Sequence, residues 1–248
     1  MSRGAAVVAF IETFCLAPEG QHVGKPIKLL PFQKRFIKAI YDNKHGTRRA
    51  YLSIARKNGK TALIAGIMLA HLVGPEAKQN SQIISGARSR DQAAQVFNYA
   101  AKMVQLSPDL SSVVRILPSA KSLIGLPLNV EYKASSAEGR TAHGRSPILA
   151  ILDEVGQVKG AQDDFTDAIT TSQGAHESPL LIAISTQAAE DSDLFSIWLD
   201  DSKKSGDPRI VSHVYEAPKD CDLQDKKAWK SANPALGVAS DLLVQHGG

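Results

Sequence analysis

A chain of 248 residues, 43% hydrophobic and 22% charged, has apolar material for a large core and too little charge for extensive disorder. No apolar run can cross a bilayer, Glu12 breaks the N-terminal one before any signal-peptide pattern forms, and two distant cysteines, Cys15 and Cys221, exclude a disulfide framework and fit a reducing cytoplasm. The formal net charge of +4 hides an asymmetry: residues 1–60 hold twelve Lys/Arg against three Asp/Glu, a surplus that suits a polyanion, a neighbouring subunit or only solvent.

Ala5 to Phe14 has apolar residues at helical spacing, broken by Pro18, Gly20 and Gly24. The run from Pro31 to Ile40 opens on proline and repeats Phe32, Phe36, Ile37 and Ile40, which predicts an amphipathic helix with a basic outer face. Ala50–Ala55 reads as a strand. Arg56-Lys57-Asn58-Gly59-Lys60-Thr61 follows at once, and an apolar helix pattern runs from Thr61 to Leu72 before Gly74-Pro75. Gln82–Ala87 is a second buried strand, and Arg90–Gln105 has helical spacing. Val113–Leu117, Leu123–Ile124 and Val130–Lys133 are shorter β-prone pieces. Ile148–Leu152 and Leu180–Ile184 are continuously apolar, as strands buried on both faces are. Phe165–Thr171 looks helical, and Ile210–Val214 alternates more weakly. Apolar strands separated by helices predict an α/β fold, a mainly parallel sheet with helices on both faces.

Strand, polar turn, Gly-Lys-Thr and helix is the setting of a phosphate-binding loop. Backbone N–H groups of such a turn wrap a phosphate, and the helix N-terminus adds its positive dipole end. Lys60 is placed to reach β- and γ-phosphates, and the Thr61 hydroxyl to hold Mg²⁺. The usual pattern has glycine five positions before Gly59, where this chain has Ile54. Asp153-Glu154 closes the strand Ile148–Leu152, at the end where open α/β sheets bind ligands. Its first carboxylate suits a Mg²⁺ and its second the attacking water; an ordinary helix cap is the other reading. Ser185-Thr186 ends the next apolar strand and offers hydroxyls that sense the γ-phosphate, or simple turn chemistry. Gln33 suits an adenine edge or plain exposure. Arg140 and Arg145 sit in a glycine-bearing loop before the acidic strand, either as a guanidinium for a developing phosphate charge or as surface arginines. Arg56 is a separate candidate for direct phosphate contact.

The order Gln33, Gly59-Lys60-Thr61, Asp153-Glu154, Ser185-Thr186 resembles the ATPase domain of the large terminase subunit of tailed bacteriophages. Leu30-Pro31-Phe32-Gln33 is similar to that family's adenine motif. Ala55-Arg56-Lys57-Asn58-Gly59-Lys60-Thr61 resembles its variant phosphate loop, which commonly lacks the first glycine and carries arginine. Ile151-Leu152-Asp153-Glu154 resembles its acidic motif, Ile184-Ser185-Thr186 its coupling motif, and Ala228–Gly237 the segment leading out of the domain. The resemblance implies a P-loop NTPase fold of the additional-strand, catalytic-glutamate (ASCE) type. Residues 1–218 would be the ATPase domain, with a helical segment 1–45 and a core 46–218; residues 219–248 would begin a linker subdomain. The family's C-terminal nuclease is not expected in this chain.

The resemblance further implies Mg²⁺-dependent ATP hydrolysis coupled to double-stranded DNA translocation into a procapsid, in the bacterial cytoplasm. Nucleotide would be bound by Gln33, Arg56, Lys57, Asn58, Gly59, Lys60 and Thr61, metal by Thr61 and Asp153. Glu154, Lys60 and Arg140 would be catalytic, Arg140 acting from a neighbouring copy in a ring, with Arg145 the alternative arginine. Portal protein and the small terminase subunit are the implied partners. Two rival readings are a helicase-like ATPase and a non-hydrolysing DNA- or procapsid-docking module with a vestigial nucleotide site.

Overall fold

The computed structural model describes residues 1–87, 89–136, 146–218, 221–222 and 225–236. Eight strands form one sheet: β1 (Arg49–Ser53), β2 (Gln82–Ala87), β3 (Val114–Leu117), β4 (Ser122–Gly125), β5 (Val130–Ser136), β6 (Leu149–Asp153), β7 (Leu180–Ser185) and β8 (Ile210–Val214). Their order is β3-β4-β5-β2-β6-β7-β1-β8. Among the described strands β4 alone runs opposite to the others, antiparallel to β3 and β5; the pairs from β5 to β8 are all parallel. The three short β-prone pieces therefore extend one edge as β3, β4 and β5.

The helices are α1 (Arg3–Phe14), α2 (Pro31–Tyr41), α3 (Lys60–Leu72), α4 (Arg90–Leu106), α5 (Pro108–Val113), α6 (Asp164–Ser172), α7 (Leu194–Ser205) and α8 (Lys226–Ala232). Pleating sends alternate strand residues to opposite faces, and two apolar clusters follow that rule. Leu52, Ile83, Ile151 and Ile182 join one cluster with α1, α2, α3 and α4. Tyr51, Ile84, Leu152 and Ala183 join the other, with Ile169 of α6 and Phe195 and Leu199 of α7. With apolar side chains all round and every residue but Thr61 buried, α3 lies inside its layer between α1 and α4. The phosphate-loop segment is thus bolted to the core at both ends, by β1 and by α3. No helix among the described residues is long and apolar enough to cross a membrane.

One strand, β7, separates β1 from β6. That insertion between the phosphate-loop strand and the acidic strand is the additional strand of the ASCE architecture. It brings the ends of three neighbouring strands together: Ile54, Asp153-Glu154 and Ser185-Thr186. Three helices, α5, α7 and α8, are absent from the predicted elements.

Candidate active site

The loop after β1 explains its missing glycine. Positive φ falls at Lys57 (64°) and Gly59 (71°), and not at Ile54. Ile54 continues the strand: its N–H donates to Ser185 O at 2.9 Å, and its side chain is buried in the core. An isoleucine fits where the backbone makes no left-handed turn and the side chain has an apolar neighbourhood. Gly59, left-handed, is the N-cap of α3, so the free N–H groups of the first turn open toward the loop. Lys57 adopts the left-handed region without being glycine, a strain of about 1–2 kcal/mol.

Lys60 is nearly buried. Its ammonium donates to Ile54 O and Ala55 O at 3.3 and 3.4 Å and lies 3.9 Å from Glu154 Oε1. Burial holds Lys60 below the usual lysine range, with Arg56 adding to the effect and Glu154 and Asp153 opposing it. Burial, and then the Glu154 carboxylate, push the Asp153 carboxyl up to about 6. Glu154 has φ 57°, a left-handed conformation that a glutamate adopts at a cost. Its Oε2 is buried without a hydrogen-bond partner among the described residues.

Behind these acids the end of β7 braces the turn. Ser185, fully buried, accepts a hydrogen bond from Gly156 N–H at 2.9 Å, and Glu154 N–H donates to Ile184 O at 2.9 Å. A side chain at Gly156 has no room: a Cβ there would come within 2.4 Å of Thr186 O.

A cavity of about 920 Å³ opens over the loop. Arg56, Lys57, Gly59, Lys60, Thr61, Asp153 and Glu154 line it, so the structure brings seven of the predicted site residues to one wall. Gln33, Asn58, Ser185 and Thr186 are not on that wall. Gln33, expected at an adenine edge, is 2% exposed, and its Oε1 accepts the Leu30 N–H at 2.9 Å; it caps α2. Asn58, expected among the nucleotide contacts, turns its side chain away, toward Asn233 and Ala235. Arg140 and Arg145 lie outside the described residues.

The opposite wall has residues that sequence reasoning missed. It is built from the 17–28 segment and from Gln92, Gln95 and Tyr99 of α4, with Gln157 beside the acids. Glu19 ties segment to helix, accepting from Tyr99 Oη at 2.7 Å and from Lys102 Nζ at 2.6 Å. Gln92 Nε2 donates to Gln157 Oε1 at 3.1 Å, linking α4 to the turn after Glu154. In the sequence the segment shows only as helix-breaking Pro18, Gly20 and Gly24, and glutamines on a helix carry no distinctive signal. The cavity so built holds a cluster of cations, Lys25, Lys28, Arg56, Lys57 and Lys60, against Glu19, Asp153 and Glu154. It suits an elongated polyphosphate ligand with carboxylates at its reacting end.

The profile of the family "Terminase large subunit, ATPase domain" matches residues 31–201. The large subunit of the terminase of Enterobacteria phage HK97 is 70% identical over 238 residues, 96% of this chain and 47% of that protein. The crystal structure of the HK97 large terminase superposes with a TM-score of 0.92 at 69% identity, covering 96% of this chain and 49% of that one. The large terminase ATPase domain of Thermus phage P74-26 shares the fold at 18% identity, with a TM-score of 0.59 over 80% of this chain and 86% of its own. This chain thus spans about half the length of the HK97 protein it matches. It belongs to the family of terminase large subunit ATPase domains.

Proposed function

We propose that this chain hydrolyses Mg²⁺-bound ATP and passes the energy to the translocation of double-stranded DNA. The observation that carries the reading is the pairing, across the mouth of the phosphate loop, of Lys60 with a Glu154 whose buried Oε2 has no hydrogen-bond partner among the described residues. Arg56, Lys57, Lys60 and the N–H groups at the start of α3 hold the phosphates. Glu154 orients water for in-line attack on the γ-phosphorus and takes its proton. Thr61 and Asp153 would hold Mg²⁺. A hydroxyl and a carboxylate beside phosphate oxygens make the hard, oxygen-only donor set that Mg²⁺ prefers, and both line the cavity. When bound, the ion neutralises charge on the β- and γ-phosphates.

Ser185, through the Gly156 N–H, ties the additional strand to the turn that follows Glu154, which supports a sensing role for Ser185-Thr186. Arg140, or Arg145 in the same loop, supplies a guanidinium to the transferring phosphate across a ring of copies. Residues 1–218 form the ATPase domain and 219–248 begin a linker. Portal protein, the small terminase subunit and DNA are the partners in the host cytoplasm.

The test is Glu154→Gln. This variant binds ATP with an affinity within about threefold of the parent and loses at least about a hundredfold in turnover, as for removal of a general base. Undiminished phosphate release would remove Glu154 from the chemistry. A variant that neither binds nor turns over would point to a structural role instead.

A further inference from the structure

Asn58 lies inside the phosphate loop and yet spends its side chain elsewhere. It is 2% exposed, and both ends of its carboxamide are engaged. On the donor end, Nδ2 lies 3.1 and 3.2 Å from the loop's own Ala55 O and Arg56 O, and 3.2 Å from Asn233 Oδ1. On the acceptor end, Oδ1 takes the Ala235 N–H at 3.1 Å. One side chain therefore joins two backbone carbonyls that flank the phosphate site to the segment that follows α8.

That segment is shaped to meet it. Asn233 is the C-cap of α8, its N–H donating to Trp229 O at 2.9 Å and its Nδ2 to the same oxygen at 3.2 Å. Pro234 then turns the chain, and Ala235, 3% exposed, enters the larger apolar cluster. A second tether reaches the same helix from the additional strand. Gln187, two residues after Ser185, donates to Glu216 Oε2 at 2.6 Å, and Ser231 of α8 donates to Glu216 O at 3.1 Å. The phosphate loop and the end of β7 thus converge on residues 228–235. Among the described residues, Asn233 makes no other hydrogen bond to the loop.

We propose that Asn58 is a positioning residue that couples the nucleotide state of the phosphate loop to the seating of the 228–236 segment. The loop closes on phosphates by moving its peptide units. Because the Ala55 and Arg56 carbonyls share a donor with Asn233, such a movement redistributes the Asn58 bonds and loosens or tightens the Ala235 amide. The coupling rests on nucleotide binding at residues 54–61. It goes beyond that reading in assigning Asn58 to the transmission of the nucleotide state, with no part in holding the phosphates.

The test is hydrogen exchange at the Ala235 and Leu236 amides, with and without the Mg²⁺ complex of a non-hydrolysable ATP analogue. Nucleotide binding is scored separately by thermal shift. In the parent chain, saturation with the analogue changes exchange at Ala235 by at least about tenfold. Asn233→Ala removes the acceptor that competes with the Ala55 and Arg56 carbonyls for Asn58 Nδ2, while leaving the loop's internal bonds and the Ala235 bond to Asn58, so it tests that competition even if Asn58→Ala folds poorly. In Asn233→Ala the analogue still binds, but its effect on the Ala235 amide falls to less than about twofold, and kcat drops with KM little changed. A merely structural tether would speed exchange equally with and without the analogue, and that outcome overturns the coupling. So does a parent chain that binds the analogue with no change at Ala235. Failure of the analogue to bind at all overturns the site reading, and the coupling with it.

Discussion

Asp153 is held where it is least comfortable. Its carboxyl is raised from an ordinary 3.8 to about 6 by burial and by Glu154. A carboxyl whose pKa is raised by folding binds its proton more tightly in the folded chain, so its stabilising contribution is full below pH 4 and is lost between about 4 and 6. Above pH 6 the buried carboxylate costs stability. Without Mg²⁺, Asp153→Asn should therefore be more stable than the parent above pH 6, by about 1–2 kcal/mol, and equal to it below pH 4. Denaturation midpoints across that range check this, and parallel curves would mean that Asp153 is not strained by its charge. The same variant should lose ATP turnover. At this scale the sequence reveals charge and type but not direction. Lys60, Asp153 and Glu154 are legible because a phosphate loop and a strand end dictate where such groups point. Asn58 and Gln33 are not, because the partners that turn them from the cavity wall are a cap at Leu30 and an amide at Ala235.

At the scale of elements, the segment from β1 through the loop to α3 is the most legible, since its strand, turn and helix are contiguous. The turn after β6 is less so. Gly156 looks like an ordinary glycine after a strand, and its significance lies in the close approach of Thr186 O and Ser185 Oγ. In Gly156→Ala the new Cβ would force the end of β7 away from the turn holding Glu154. We expect a loss of about 1–3 kcal/mol in stability and a fall in kcat larger than the weakening of nucleotide binding. Chemical denaturation together with steady-state kinetics measures both, and unchanged kcat would show that the Ser185 bond does not position Glu154. The α7 helix escapes the predicted elements because Leu194, Phe195, Trp198 and Leu199 are followed at once by Asp200 and Asp201. Its apolar stripe is short and shows only when laid against β8 and Tyr51 of β1.

At the scale of the molecule, the fold class was legible from the apolar runs of β2, β6 and β7, which only a sheet covered on both faces accommodates. Strand order was not, since it depends on which edges meet across long stretches of chain. It was the family resemblance that implied an additional strand, and the parallel registers place β7 between β1 and β6. The 17–28 wall of the cavity belongs to this scale too, because Glu19 reaches Tyr99 and Lys102 only in the folded chain.

The placing of β1 has a consequence in time. β1 ends at residue 53, yet its two neighbours in the sheet begin at residues 180 and 210. During synthesis the phosphate loop emerges early and waits, unpaired, while the rest of the chain is made, on the order of ten seconds or more at bacterial rates. Pairing of such distant strands is slow because the loop must close first. In refolding followed by pulsed hydrogen exchange, the amides of Tyr51 and Leu52 should gain protection together with those of β7, and no sooner. Earlier protection in β1 would mean that it finds a temporary partner. On this account the phosphate loop cannot grip a nucleotide until β7 and β8 have been made and have left the ribosome to pair with β1.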